Sequence, residues 1–179
     1  MQEPEVSLYI TIKCIQEGWT NQDIIVSIDG AHIKTMDKVH FDLVGFMHQN
    51  GYEKNDGVQN RWQGVYQKQG ISQKIIVSSQ PGVGDVVVAL HNGGTLYIES
   101  KKFKNGSGGE YPAMREAIGQ LLTGCPDCPN VIPVVAVPYT AKSEKLAQKW
   151  SHSKRIQSAG IRFVLVRDGG DLDWVKGSN

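Results

Sequence analysis

Residues 131–139 read VIPVVAVPY, and no other stretch constrains the fold as tightly. A strand wet on one face alternates apolar and polar residues. One that is apolar throughout is buried on both faces and typically runs parallel to a neighbour. Parallel strands need a long crossover, usually a helix. Helical patterns flank this run on both sides. Before it, from about Pro112 to Thr123, Met114, Ala117, Ile118, Leu121 and Leu122 make an apolar stripe at i, i+3, i+4, i+7 and i+8. Glu116 and Gln120 sit on the flank of that stripe. After it, Thr140 caps a helix over about Ala141 to Ser158, Gly160 ends that helix, and IRFVLV is the last strand. Pro133 belongs near the strand entrance, because proline cannot donate inside a ladder.

Upstream, EVSLYITIK alternates Val6, Leu8, Ile10 and Ile12 with polar or mixed neighbours, which predicts a half-buried strand. DIIVSIDG reads as a second strand and AHIKT as a short third. Residues 1–35 are therefore expected to form a small N-terminal antiparallel β unit ahead of a core domain over 36–179. A helix follows from about Asp37 to Asn50, with Asp37 as cap and Gly51 as left-handed stop. QNRWQGVYQKQGISQKIIVSS suggests a hairpin turning near Gln69-Gly70. The order from residue 37 onward, helix, two hairpins, helix, strand, helix, strand, predicts an α/β domain with a mixed central sheet flanked by helices.

The second hairpin, GDVVVALHNGGTLYIESKK over Gly84–Lys102, carries charge at the ends of apolar strands. Burying an ion is costly without a partner or a purpose. Glu99 and Lys101 share a strand face. Asp85 joins them only in the right register. A two-residue loop, Asn92-Gly93, would set Asp85 against Ser100. A three-residue loop, Asn92-Gly93-Gly94, would pair His91 with Thr95 and Asp85 with Lys101, with Gly94 in the left-handed last position. The second register puts two carboxylates and an ammonium together. That set suits a hard cation: Mg²⁺ takes one or two carboxylates and keeps several waters. Asp85, Glu99 and the backbone carbonyl of Ser100 form such a partial shell. Lys101 beside it can orient a nucleophile, act as base if its pKa is depressed, or stabilise a transition state. A structural ion pair is the bland alternative.

Composition excludes several classes. The 179 residues are 40% hydrophobic with a formal net charge of +1, so the total gives no argument for a polyanion partner, and such a surface must come from local clustering. No apolar run reaches membrane-spanning length, and the start lacks a secretory pattern, so a soluble cytoplasmic protein is expected. The three cysteines, Cys14, Cys125 and Cys128, are expected to be reduced thiols. CPDC has knuckle spacing, yet a zinc site would need further ligands such as Cys14 and His152.

Asp85, thirteen intervening residues and ESK at 99–101 resemble the PD-(D/E)XK nuclease superfamily, nearest to the archaeal Holliday junction resolvases. The likeness runs from about Asp37 to Val166 and includes the helix REAIGQLL and the strand IPVVAV. It implies a restriction-endonuclease-like core. It also implies Asp85 and Glu99 as metal-binding acids, Lys101 as the catalytic lysine and Gln120 as a helix residue near the site. Glu116 and an acid from the first helix, Asp42, are accessory candidates. The implied cofactor is Mg²⁺, with Mn²⁺ substituting. Gly84 stands where the motif commonly has proline.

Lys102 and Lys104 flank the site on KKFKNGSGG, and Lys142, Lys145 and Lys149 recur at i, i+3 and i+7 on the third helix. Such clusters can follow a phosphate backbone, or be solvated surface. Arg61 in NRWQGVYQKQ can contact nucleic acid, while Trp62 and Tyr66 are better placed in the core. The expected activity is DNA phosphodiester hydrolysis, with a homodimer suited to two-strand cleavage. An RNA nuclease of the same fold and a non-cutting nucleic-acid-binding module remain open.

Overall fold

The structure, a computed structural model, describes residues 1–55, 61–80, 84–104 and 108–176. The elements are α1 (Glu3–Gln16), β1 (Ile24–Ser27), α2 (Gly30–Ile33), β2 (Lys34–Thr35), β3 (Lys38–Val39), α3 (Leu43–Gln49), β4 (Glu53–Lys54), β5 (Gly64–Gln67), β6 (Ile75–Ser78), β7 (Val86–Ala89), β8 (Thr95–Ser100), α4 (Glu110–Gly124), β9 (Val131–Pro138), α5 (Ala141–Ser151), α6 (Lys154–Ser158), β10 (Arg162–Val166) and β11 (Leu172–Trp174). The glycine-rich loop's residues 105–107, and 81–83 and 56–60 ahead of the two hairpin strands, lie outside the described residues.

Among the described residues, nine strands form one sheet in the order β11-β10-β9-β8-β7-β1-β6-β5-β4. β9 runs parallel to both its neighbours, as VIPVVAVPY predicts, and Val134 to Val137 are fully buried. β1 and β6 are also parallel, and the remaining neighbours are antiparallel. The fold is α/β, with a mixed, mostly antiparallel central sheet flanked by helices. α1 crosses one face, over β1 and β7 to β10. α4 and α5 cover the other face, where Met114, Ala117, Leu121 and Ala147 pack with Tyr97, Val135 and Phe163. No helix among the described residues is long and apolar enough to cross a membrane.

The N-terminal expectation fails. Residues 3–16 are a helix, and residues 1–35 do not form an antiparallel β unit of their own. β1 lies inside the main sheet, between β7 and β6. The alternation of Val6, Leu8, Ile10 and Ile12 misled because α1 is buried nearly all round. The sheet covers one side, and Tyr9 meets Phe46 of α3 edge-on at 4.9 Å on another. A helix enclosed on several sides loses the polar stripe that marks its period. Its start is nevertheless well specified: Pro4 occupies the first turn, and the Gln2 N–H donates to Glu5 Oε2 at 3.0 Å.

Two other helices differ in extent. The segment from Asp37 begins as a small hairpin, β2 with β3, and α3 starts at Leu43 with Asp42 as its cap. Gly51 ends it at φ +80°, as expected. The third helix breaks into α5 and α6 at His152-Ser153. Ser151 Oγ and the His152 ring both engage the Gln148 carbonyl, and Gln157 Nε2 donates to the Ser151 carbonyl. These side-chain bonds replace backbone bonds that would have continued the helix.

Gly84 has a packing reason. A Cβ there would stand 2.7 Å from Tyr97 Cε1 and 2.9 Å from Cζ, so no side chain, a proline's included, fits without a shift. Gly84→Ala should cost about 1–3 kcal/mol by overpacking. Urea unfolding measures this as a lower midpoint at unchanged slope. Combined with Tyr97→Leu, the loss should be smaller than the sum of the two single losses.

Candidate functional site

The hairpin of β7 and β8 decides whether the charged groups meet. Val86 pairs with Ile98 and Ala89 with Thr95, and the Leu90 N–H donates to the Gly94 carbonyl at 2.8 Å. The loop is thus the three residues His91-Asn92-Gly93, with Gly93 left-handed at φ +89°. The expected length holds, but the loop sits one residue earlier, and the pairing shifts by two. Asp85 therefore faces Glu99 rather than Lys101. A shift of two preserves the face. Asp85, Glu99 and Lys101 share a side of the sheet in either register.

Lys101 Nζ donates to Glu99 Oε1 at 2.7 Å, and the Ser100 N–H donates to Asp85 Oδ2 at 2.8 Å. The N–H and C=O of a strand residue point the same way, so the Ser100 carbonyl also faces the Asp85 side. A third acid arrives from α1. Glu3 Oε1 lies 3.5 Å from Lys101 Nζ, and Glu3 Oε2 accepts the Lys102 N–H at 3.3 Å. His32 Nδ1 of α2 is 3.5 Å from Glu3 Oε1. Glu116 stands at the rim, 4.0 Å from Lys101 and largely exposed.

The electrostatics follow from crowding acids into a dry corner. Burial pushes the Asp85 carboxyl up to about 8, and Glu99 adds to this; Lys101 and the Ser100 N–H oppose it, and Glu3 reinforces it. Glu99 is also raised, by burial first, against the pull of Lys101. For Lys101, burial favours the neutral amine. The Glu99 hydrogen bond and the charges of Glu99, Glu3 and Asp85 outweigh it, and its pKa rises. The setting is anionic, not cationic, so Lys101 is a held ammonium. That suits charge stabilisation and orientation rather than a base.

Of these groups, Asp85 and Glu99 line a cleft of about 680 Å³, together with Gln120, Tyr97, Ser27 and Asp29 among others. Gln120 of α4 shares the cleft with both acids. Asp42 does not join them: its Oδ1 accepts the Gly45 N–H at 3.0 Å and caps α3. The first-helix acid that reaches the site is Glu3. The signal for it was present in QEPE, an acid-proline-acid first turn of a helix, and the alternation downstream concealed it.

The proposed nucleic-acid contacts divide. Lys102 Nζ is tied to Gln2 Oε1 at 3.1 Å, and Lys142 pairs with Glu110 at 3.4 Å. Lys104, Lys145 and Lys149 are exposed. Arg61 is exposed beside Trp62, whose ring lies near Gly30 at the cleft. Tyr66 is buried in the core, and Trp62 packs against it. All three thiols are free. Cys14 lies in the α1-side core, where burial pushes its thiol up to about 12, while Cys125 packs on the α4 side. The sheet separates them, so they cannot share a zinc ion.

Compared with family models, curated proteins and solved structures, the chain matches none. Among the described residues no three His, Cys, Asp or Glu side chains are arranged as a metal cage. What is present is a two-acid site with an adjoining carbonyl, and Mg²⁺ asks for no more protein than that. The facing acids are what fits a cation: two carboxyls crowded in a partly dry corner favour their neutral forms, and a bound cation would offset the charge of ionising both.

The sign of the pH dependence is fixed by that crowding. Between the ordinary carboxylate value of about 3.9 and about 8, the folded chain holds a proton that the unfolded chain has lost. Stability therefore falls as pH rises through this window. In EDTA at about pH 9, Asp85→Asn should unfold at a higher temperature than the parent, by about 2–4 °C per kcal/mol relieved, with the gap closing by about pH 4. Adding Mg²⁺ should raise the parent's Tm and leave that of Asp85→Asn unmoved.

Proposed function

We propose that this chain is a Mg²⁺-dependent endonuclease that hydrolyses DNA phosphodiester bonds, with a restriction-endonuclease-like core of the PD-(D/E)XK kind. The observation that carries the reading is the convergence of Asp85, Glu99 and Lys101 on one sheet face, with both acids lining a cleft that Gln120 borders and Lys101 bonded to Glu99. The element order supports it too: the acid-bearing hairpin, then α4, then a buried parallel strand.

Asp85, Glu99 and the Ser100 carbonyl would hold Mg²⁺, with Mn²⁺ able to substitute. When bound, the ion lowers the pKa of a water ligand and offsets charge on a phosphoryl oxygen. Lys101, kept protonated by Glu99 and Glu3, presents an ammonium to the phosphate oxygens as negative charge builds on them. Glu3 acts through Lys101 and is a positioning residue. Gln120 offers both a donor and an acceptor to water or phosphate at the cleft wall. Water attacks phosphorus and sheds a proton to solvent, the new P–O bond forms as the bond to the leaving oxygen breaks, and that oxygen takes a proton from solvent water. Lys104, Lys145, Lys149 and Arg61 are among the exposed cations of the described residues and would be available to the backbone beyond the cleft. Cleavage of both strands calls for a second copy of the site, hence a homodimer, and the reading places the protein in the cytoplasm.

Hydrolysis of plasmid and branched DNA with Mg²⁺ tests this. Asp85→Asn, Glu99→Gln and Lys101→Ala should each lower the rate by about 10²–10³-fold or more. Glu3→Gln should lower it by about 10–100-fold, as the loss of an outer partner does. Equal rates in all proteins overturn the site. Preferential cutting of labelled RNA in direct competition moves the substrate class, not the residues.

A further inference from the structure

The hairpin of β2 and β3 is a feature that the proposed chemistry does not use. It follows α2 directly, and α2 begins at the cleft: Asp29 and Gly30 line it, and His32 lies 3.5 Å from Glu3. The hairpin is anchored where the His40 N–H donates to the Ile33 carbonyl at 2.8 Å. Everything from Lys34 to His40 is exposed. At about 3.3 Å per residue, two residues of strand carry the tip roughly 7 Å beyond α2, about two base steps of duplex DNA.

The tip residue is Met36. It is 90% exposed and sits at φ +52°. It occupies the first position of the two-residue loop Met36-Asp37, where a positive φ favours glycine or asparagine. Met36 therefore gains nothing from burial and nothing from backbone ease. Strain of this kind gathers at functional sites. Around it, Lys34 and Lys38 form no ion pair among the described residues, and Asp37 is the hairpin's one acid. An unbranched apolar side chain on a cationic finger suits a polyanion with an apolar interior.

We propose that Met36 is a wedge that enters the base stack of duplex DNA beside the phosphate held in the cleft, with Lys34 and Lys38 on the flanking phosphates. This rests on the nuclease reading and names its substrate: DNA whose stack is already interrupted, at a branch or a nick. Apolar wedges, methionine among them, open base steps in this way. An interrupted step costs less to open than a continuous one, so the wedge selects for it.

The test uses the whole chain in EDTA with two DNAs carrying 2-aminopurine, one at a branch point and one in continuous duplex. The parent should raise the fluorescence of the branched DNA at least twofold and leave the continuous duplex nearly unchanged. Met36→Ser and Met36→Gly should abolish the rise and weaken branched binding by about tenfold, in line with the loss of one base contact. Met36→Leu should retain both. Met36→Gly also removes the backbone strain, so its failure cannot be put down to misfolding. Lys34→Ala and Lys38→Ala should each reduce the salt slope of binding by about one. Equal fluorescence in all Met36 variants, while the parent cuts DNA with Mg²⁺, overturns the wedge alone. A change in sedimentation with fluorescence untouched assigns the tip to a contact between copies and overturns it as well. A parent that neither binds nor cuts DNA sinks both readings.

Discussion

Four ionisable groups, Asp85, Glu99, Lys101 and Glu3, meet at one end of the sheet, and the chain's arrangement is best understood from what holds them there. Three acids around one ammonium leave a net negative corner, partly dry, in which Asp85 resists ionisation. Charges so placed are poor stabilisers; a buried ion cluster often does worse than an apolar one of the same shape. The fold carries this cluster because the elements supplying it are anchored elsewhere. β8 is clasped between β7 and the wholly apolar β9, and α1 is buried over most of its length. A rigid scaffold of this sort can tolerate charge that the local sequence would expel.

That division explains what could be read from the residues alone. The central hairpin was legible because its outcome depends on parity. The loop was misplaced by one residue, yet the three charged side chains kept a common face, since only an odd slip moves a side chain across the sheet. β9 was legible because a strand buried on both faces leaves no polar residue to mislead. α4 showed its stripe because only one side of it is covered: Met114, Ala117 and Leu121 are buried, though Leu122, expected in the same stripe, is 62% exposed.

The rest was hidden by long-range packing. α1 has helical start signals but no helical period, because sheet and α3 enclose it; Ser7 and Thr11 are accommodated by bonding carbonyls four residues back. β1 is only four residues long and pairs with β6 and β7, some 50 and 60 positions later. Local pattern cannot foresee such partners. One consequence followed: with the first helix sought after residue 36, Asp42 was weighed as an accessory acid, whereas the structure has Asp42 capping α3 and Glu3 beside Lys101.

The cleft itself follows from uneven coverage. On the α4 face the register runs Val65, Ile76, Ile25, Val87, Tyr97 and Pro133 in one row across the sheet. α4 shelters the Tyr97 end, where exposure is 8%, while Ile25 is 50% exposed. Two residues along the strands, the same face changes character, to Ser27, Asp85 and Glu99. A helix laid across the whole sheet would have buried those carboxylates beyond use; no helix at all would have left them in bulk water with ordinary acidity. Because α4 ends its cover between the two, the acids are desolvated enough to want a cation and open enough for a ligand to reach them. The depth of that half-coverage, more than the identity of any single residue, sets this cluster apart from a fully buried or fully solvated ion pair.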